Sequence, residues 1–188
     1  MKPMVLGRFL MAALLLGAGV AGAATKESAN VPQPDEQIAR SIRHEVLMYP
    51  NYSIWDDVNF QVANGQVELQ GAVNQPYKKA DLQRLVQRVP GVTSVTNEIK
   101  VLPLSSMDDR LRIQVARAIY RDPALTRYGL QAVPPIHIIV DNGHVTLTGA
   151  VNSEMEKQIA GMRASGAGLS FGAVTNNLLG EHPSPKKS

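Results

Sequence analysis

Val58-x-Phe60-x-Val62-x-Asn64-Gly65-x-Val67-x-Leu69-x-Gly71-x-Val73 recurs as Ile136-x-Ile138-x-Val140-x-Asn142-Gly143-x-Val145-x-Leu147-x-Gly149-x-Val151, all nine matched positions displaced by 78 residues. A repeat of that period holds a whole small domain, so the chain reads as two copies of one module. Within each copy the alternation of apolar and polar residues is that of a half-buried strand pair. Asn-Gly between the runs is the signature of a two-residue type I′ turn, whose two central positions both need positive φ. That register sets Val62 opposite Val67 and Phe60 opposite Leu69, leaving one apolar face that needs covering.

Working outward, each hairpin is preceded by a helical pattern. Asp35 opens the first, with Ile38, Ile42 and Val46 on one stripe and Pro50 as its stop; Asp108 and Asp109 open the second, with Leu111, Val115, Ala118 and Ile119 before Asp122-Pro123. A second helix follows each hairpin. In copy one it starts at Pro76 and buries Leu82, Leu85, Val86 and Val89; in copy two Ser153-x-x-Glu156 reads as a capping box leading to a stripe of Met155, Ile159 and Met162. Interior glycines end that second helix near Arg163. The last alternating runs are Val95, Asn97, Ile99, Val101 and Val174, Asn176, Leu178. The fold class is therefore α+β: two tandem α-β-β-α-β modules, each with two helices on one face of a three-stranded mixed sheet. The expected boundaries are 35–103 and 108–180, with linkers at 24–34 and 104–107 and a loose tail at 181–188. Copy two has the longer first loop, Ala124 to Pro135, and reads as the looser module.

Residues 1–23 read as a leader. Lys2 and Arg8 are its basic start, Phe9 to Val20 its apolar run, and Ala21-Gly22-Ala23 its cleavage pattern, so the mature chain is expected to begin at Ala24 or Thr25. The run is shorter than the roughly 20 residues a spanning helix needs. The chain has no cysteine, which excludes both a disulfide framework and a lipid-modified cysteine anchor. The expected location is the periplasm. Without Lys2 and Arg8, 17 basic residues face 16 acidic ones, a balance that does not advertise nucleic-acid binding.

The hairpin residues at Asn64 to Val73 and Asn142 to Val151, followed by Val89-Pro90-Gly91-Val92 and Val95-Thr96-Asn97, resemble the BON domain, named for bacterial osmotically inducible and nodulation proteins. A leader followed by two such domains, without a lipoprotein cysteine, resembles the soluble periplasmic osmotic-stress members of that family. The resemblance implies a non-enzymatic envelope protein that contacts phospholipid surfaces, or alternatively a periplasmic stress protein or chaperone acting on envelope clients.

The candidate contact residues lie on the first helix of copy two. Arg110, Gln114, Arg117 and Arg121 fall at i, i+4, i+7 and i+11, a stripe beside the buried Leu111/Val115/Ile119 face. Arg110, Arg117 and Arg121 are the candidate contacts for anionic lipid, competing with the reading of a solvated helix back; the resemblance tips the balance, since it implies that this helix of the second domain meets anionic lipid in a lipoprotein member of the family. Lys78, Lys79, Arg84 and Arg88 on the second helix of copy one read as a solvated face. Trp55, Tyr49 and Tyr52 read as interfacial aromatics or, more commonly, as caps on a small core. Asn64, Gly65, Asn142 and Gly143 are structural turn residues.

No catalytic site, cofactor, metal or small-molecule substrate is expected. Gly168-x-Ser170-x-Gly172 has the spacing of a hydrolase nucleophile elbow, but a helix precedes it and a strand follows, the reverse of that motif. His137 and His144 share a hairpin face four residues apart along the strand, about 13 Å at about 3.3 Å per residue, too far for one metal, and read as solvated.

Overall fold

The computed structural model describes residues 34–168 and 173–182. The leader, most of the Gly168–Gly172 loop with Leu169 and Phe171, and residues 183–188 lie outside the described residues. Among the described residues no helix is long and apolar enough to cross a membrane.

Copy one runs α1 (Asp35–Leu47), β1 (Asp57–Ala63), β2 (Gln66–Val73), α2 (Pro76–Gln87), β3 (Ser94–Asn97) and β4 (Lys100–Val101). Copy two runs α3 (Ser106–Tyr120), α4 (Thr126–Gly129), β5 (Ile136–Asp141), β6 (His144–Ser153), α5 (Glu154–Ser165), β7 (Thr175–Asn176) and β8 (Leu179–His182). In both sheets the second strand is central. It pairs antiparallel with its hairpin partner, Val62 opposite Val67 and Val140 opposite Val145, and parallel with the closing strand. Asn64 and Asn142 adopt φ of 53° and 51°, Gly65 and Gly143 of 74° and 78°, the signs a type I′ turn demands.

The closing strand of each module is broken in two, which simple alternation does not reveal. The cause is an asparagine. Asn97 donates its side-chain amide to the Lys79 carbonyl on α2 at 2.9 Å while its Oδ1 accepts the Ile99 amide at 3.2 Å. Asn176 does the same with Lys157 on α5 and with Leu178, at 2.7 and 3.3 Å. The side chain thus takes the place of a ladder bond and ties the strand to the helix above it.

Each module has its own core. In copy one it is built from Ile38, Ile42 and Val46 of α1, Leu69 of β2, and Leu82 and Val86 of α2; in copy two from Leu111, Val115 and Ile119 of α3, Ile138, Leu147 and Ala160. α5 departs from the expected stripe. Met155 and Met162 are exposed, and the buried residues are Ala160 and Ala164. Small side chains let α5 lie close to α3, which is why the methionines turn outward. The expected capping box is also half formed. Ser153 accepts the Glu156 amide at 3.2 Å, but the Glu156 carboxylate turns away to Arg127 and to the Tyr128 hydroxyl. α5 continues two residues past Arg163, to Ser165. At the module boundaries, α3 begins at Ser106 inside the expected linker, with Ser105 as its cap, and β8 carries copy two through His182.

The two modules are joined by more than a linker. Ile54 and Trp55, in the loop before β1, pack against the core of copy two, and the Ile54 carbonyl accepts the Ile138 amide at 2.7 Å. Lys100 pairs with Asp141 across the same junction. His137 is therefore not a solvated histidine: it is half-buried against Tyr52, ring centroids 5.4 Å apart, and burial lowers its pKa below the ordinary 6.5.

Candidate functional site

α3 owes its position to both ends. Ser105 accepts the Asp108 amide at 3.2 Å, and the buried Asp108 carboxylate in turn accepts the amides of Asn142 and Gly143, pinning the start of the helix to the hairpin turn. Leu111, Val115 and Ile119 bury one face. A further residue on this helix escaped the sequence pattern. Arg112 is 4% exposed, donates to the Val140 carbonyl at 2.7 Å and pairs with Asp109 at 2.5 Å. Nothing in helical periodicity marks a buried arginine; the signal lies in the open carbonyl of an edge strand, which only the fold reveals.

With Arg112 turned inward, the outward stripe is what the spacing predicts. Arg110, Gln114, Arg117 and Arg121 are all exposed, and among the described residues none of the three arginines enters an ion pair. Met107 and Ile113 flank the stripe at 58% and 45% exposure. Two shallow recesses adjoin it: one of about 340 Å³ bordered by Met107, Arg110 and Gln114, another of about 370 Å³ bordered by Arg121, Met162 and Arg163. Arg163 is held by Asp122 at 2.7 Å. The Ala124 amide, and then Arg163, hold the Asp122 carboxyl below the usual carboxylate range, so this rim stays ionised. Guanidinium groups free of carboxylate partners, next to exposed thioether and aliphatic side chains, suit a surface that is anionic outside and apolar beneath.

The other basic set does not form a comparable surface. Lys78 is 4% exposed and lies 2.6 Å from the fully buried Asp56, which also accepts the Ser53 and Asn74 amides. It is a core ion pair and not part of a solvated face. Arg84 pairs with Asp81, whose carboxyl is lowered first by the Tyr49 hydroxyl and then by Arg84. Burial, then the bond to Asp81, pushes the Tyr49 phenol up to about 12. Tyr49 is buried, Tyr52 faces His137, and Trp55 packs on copy two. These three aromatics serve the cores and the junction. Among the described residues no group of acidic, histidine or cysteine side chains is placed to hold a metal.

The family model for the BON domain matches the chain twice, over residues 34–103 and 108–178, and the chain belongs to that family. A comparison with curated proteins finds no match. Among solved structures, the chain is similar to CdsD, a structural protein of the type III secretion system of Chlamydia trachomatis, at 14% identity over 80% of this chain and 94% of that one, with a TM-score of 0.27. A second structure, the C-terminal domain of CdsD, matches at 15% identity over 80% and 99%, with the same TM-score.

Proposed function

We propose that this protein is a non-catalytic component of the bacterial envelope, exported to the periplasm, that docks on anionic phospholipid surfaces through α3 of its second BON domain. The observation that supports the reading is the stripe of Arg110, Arg117 and Arg121, exposed and unpaired among the described residues, bordered by the exposed Met107, Ile113 and Met162. Carboxylates at i, i+4 would offset such cations, and the positions four residues from these arginines hold none.

Each arginine held near an anionic leaflet contributes about 1 kcal/mol, so replacing all three with alanine costs at most about 3 kcal/mol, roughly a hundredfold in affinity. The test is co-sedimentation with vesicles of phosphatidylglycerol and phosphatidylethanolamine against purely zwitterionic vesicles. The wild type pellets with the former, the triple Arg→Ala variant does not, and a Lys79/Arg84/Arg88→Ala variant behaves like wild type. Lys78 is left in place because it belongs to the core. Equal binding of the triple variant would refute the reading. Export is checked separately: intact mass of protein from the producing cell should match a chain that starts at Ala24 or Thr25.

A further inference from the structure

The two copies allow one edge strand to be compared with its own duplicate. In a two-residue hairpin the amides and carbonyls of alternate residues on the outer strand point away from the partner strand: Ile136, Ile138 and Val140 in copy two, Val58, Phe60 and Val62 in copy one. In copy two this edge is closed. The Ile136 carbonyl accepts the Tyr120 hydroxyl at 2.8 Å, the Val140 carbonyl accepts Arg112 at 2.7 Å, and the Ile138 amide donates to Ile54 at 2.7 Å. The last of these comes from the turn before β1, closed by the Asp56 amide on the Ser53 carbonyl at 3.1 Å.

In copy one the same edge is open, among the described residues, from Phe60 to Val62, while the Val58 backbone meets Tyr52. The helix positions that correspond to Arg112 and Tyr120 are Ala39 and Leu47, which carry no donor. Among the described residues the backbone groups of Phe60 and Val62 have no partner. Their side chains are only half-buried, whereas Ile138 and Val140 are 0% exposed. Beside this edge runs a groove of about 1220 Å³, walled by Ala39 and Arg43 of α1, floored by Phe60 and Val62, and closed by Thr148 and Leu179 of copy two. Its lining includes two buried polar atoms without partners among the described residues, His137 Nδ1 and Thr148 Oγ1. An open strand edge with apolar pockets beside it is the ordinary receptor for an added strand.

We propose that this groove binds an extended segment of another polypeptide as an added strand on β1, one with apolar side chains at alternate positions and a basic residue. Alternation follows from the half-buried Phe60 and Val62, the unpartnered atoms find their complement in peptide amides and carbonyls, and the basic residue answers Asp35, Glu36 and Asp57, which outnumber Arg43 around the groove. The chain's own residues 24–33, Ala-Thr-Lys-Glu-Ser-Ala-Asn-Val-Pro-Gln, lack that alternation and contain a proline. This site is separate from the α3 stripe.

The probe is a fluorescein-labelled peptide, acetyl-Lys-Val-Ser-Val-Thr-Val-Ser-Lys-amide, measured by polarisation with the full mature protein. In antiparallel addition its valines share the face of Phe60 and Val62 and turn their own amides toward β1. Methylating those amides should weaken binding at least tenfold. Ala39→Arg, which installs the closure used in copy two with Glu36 standing where Asp109 stands, should weaken it at least tenfold with the melt unchanged. The Arg110/Arg117/Arg121→Ala variant should bind as wild type does. Peptide saturation should slow amide exchange at Phe60 and Val62 at least tenfold. Failure of the peptide to bind, equal binding of its methylated form, or protection of those two amides in the free protein, by a second copy or by residues 24–33, overturns the proposal. Should Ala39→Arg fail to fold, the methylated peptide and the exchange measurement still decide.

Discussion

Asp108 reaches Gly143 across 35 residues of chain, its carboxylate accepting the turn amide at 2.8 Å and the neighbouring Asn142 amide at 3.0 Å. Asp35 holds Asn64 and Gly65 in the same way at 2.8 and 2.9 Å. A type I′ turn leaves its amides pointing outward, and an aspartate at the start of the first helix answers both with one carboxylate. The same group therefore fixes the helix start, the turn and the angle between them.

Asp108→Ala should cost about 3 kcal/mol, because two charge-assisted bonds are lost and the amide of Gly143 is left buried. Asp35→Ala should cost about half as much, since Asp35 is only half-buried and water replaces it. Urea denaturation of both variants tests the order. A smaller loss at Asp108 than at Asp35 contradicts the account.

Gly71 and Gly149 give the second prediction. Both sit in strands at φ of 112° and 104°, and a Cβ would lie 2.0 Å from the Asp57 carbonyl oxygen and 1.9 Å from that of Pro135. Gly149→Ala should lower stability by more than about 2 kcal/mol, since both strain and overlap oppose it. Gly166 is the control: its φ is −87° and an added methyl would meet nothing closer than 3.6 Å, so Gly166→Ala should change stability by less than about 1 kcal/mol and in the favourable direction. Calorimetric melts separate the two.

These positions also show what the sequence displays openly and what it conceals. The turns, the strand register and the Leu111/Val115/Ile119 stripe are local periodicities, and each is legible from the residues alone. The α3 stripe is legible for the same reason. Lys78, Arg112 and His137 are not, because each is a polar residue whose partner lies far along the chain: Asp56 for Lys78, Val140 for Arg112, Tyr52 for His137. α5 misleads for a different reason. Methionine is apolar enough to suggest a core stripe, but the face that α5 buries carries Ala160 and Ala164. The short α4, which places Leu125 and Tyr128 in the core, hides in a loop without period.

Lys78 supplies a third prediction. The two copies fill this position with opposite charges: Lys78 meets Asp56, while 78 residues on Glu156 meets Tyr128 and Arg127. Lys78→Met leaves a buried carboxylate without its cation and should cost about 3 to 5 kcal/mol, with Asp56→Asn costing a comparable amount. The double variant strands neither charge and should lose clearly less than the sum of the singles. A double-mutant cycle in urea measures the coupling; additive losses mean the pair does not act as a unit.

The junction between the modules should weaken in acid through His137. Burial lowers its pKa below the ordinary 6.5, against the opposing pull of Asp57, Asp56 and the nearby backbone carbonyls. Below pH 6.5 the released or unfolded histidine takes up a proton that the buried one resists, so the unfolded state binds more protons and stability falls as pH falls. Asp81 and Asp122 are lowered carboxylates whose contributions persist above the usual carboxylate range and fade only in stronger acid, so a comparison of about pH 7.5 with about pH 5.5 leaves them ionised. The expected outcome is a lower melting temperature at the acid end for the wild type, and a reduced difference for His137→Gln, which keeps a polar side chain beside Tyr52 but cannot take a charge. Exchange at the Ile138 amide, bonded to Ile54 across the junction, should quicken over the same interval after correction for intrinsic rates. A wild type as flat as the glutamine variant would show that His137 does not carry the response.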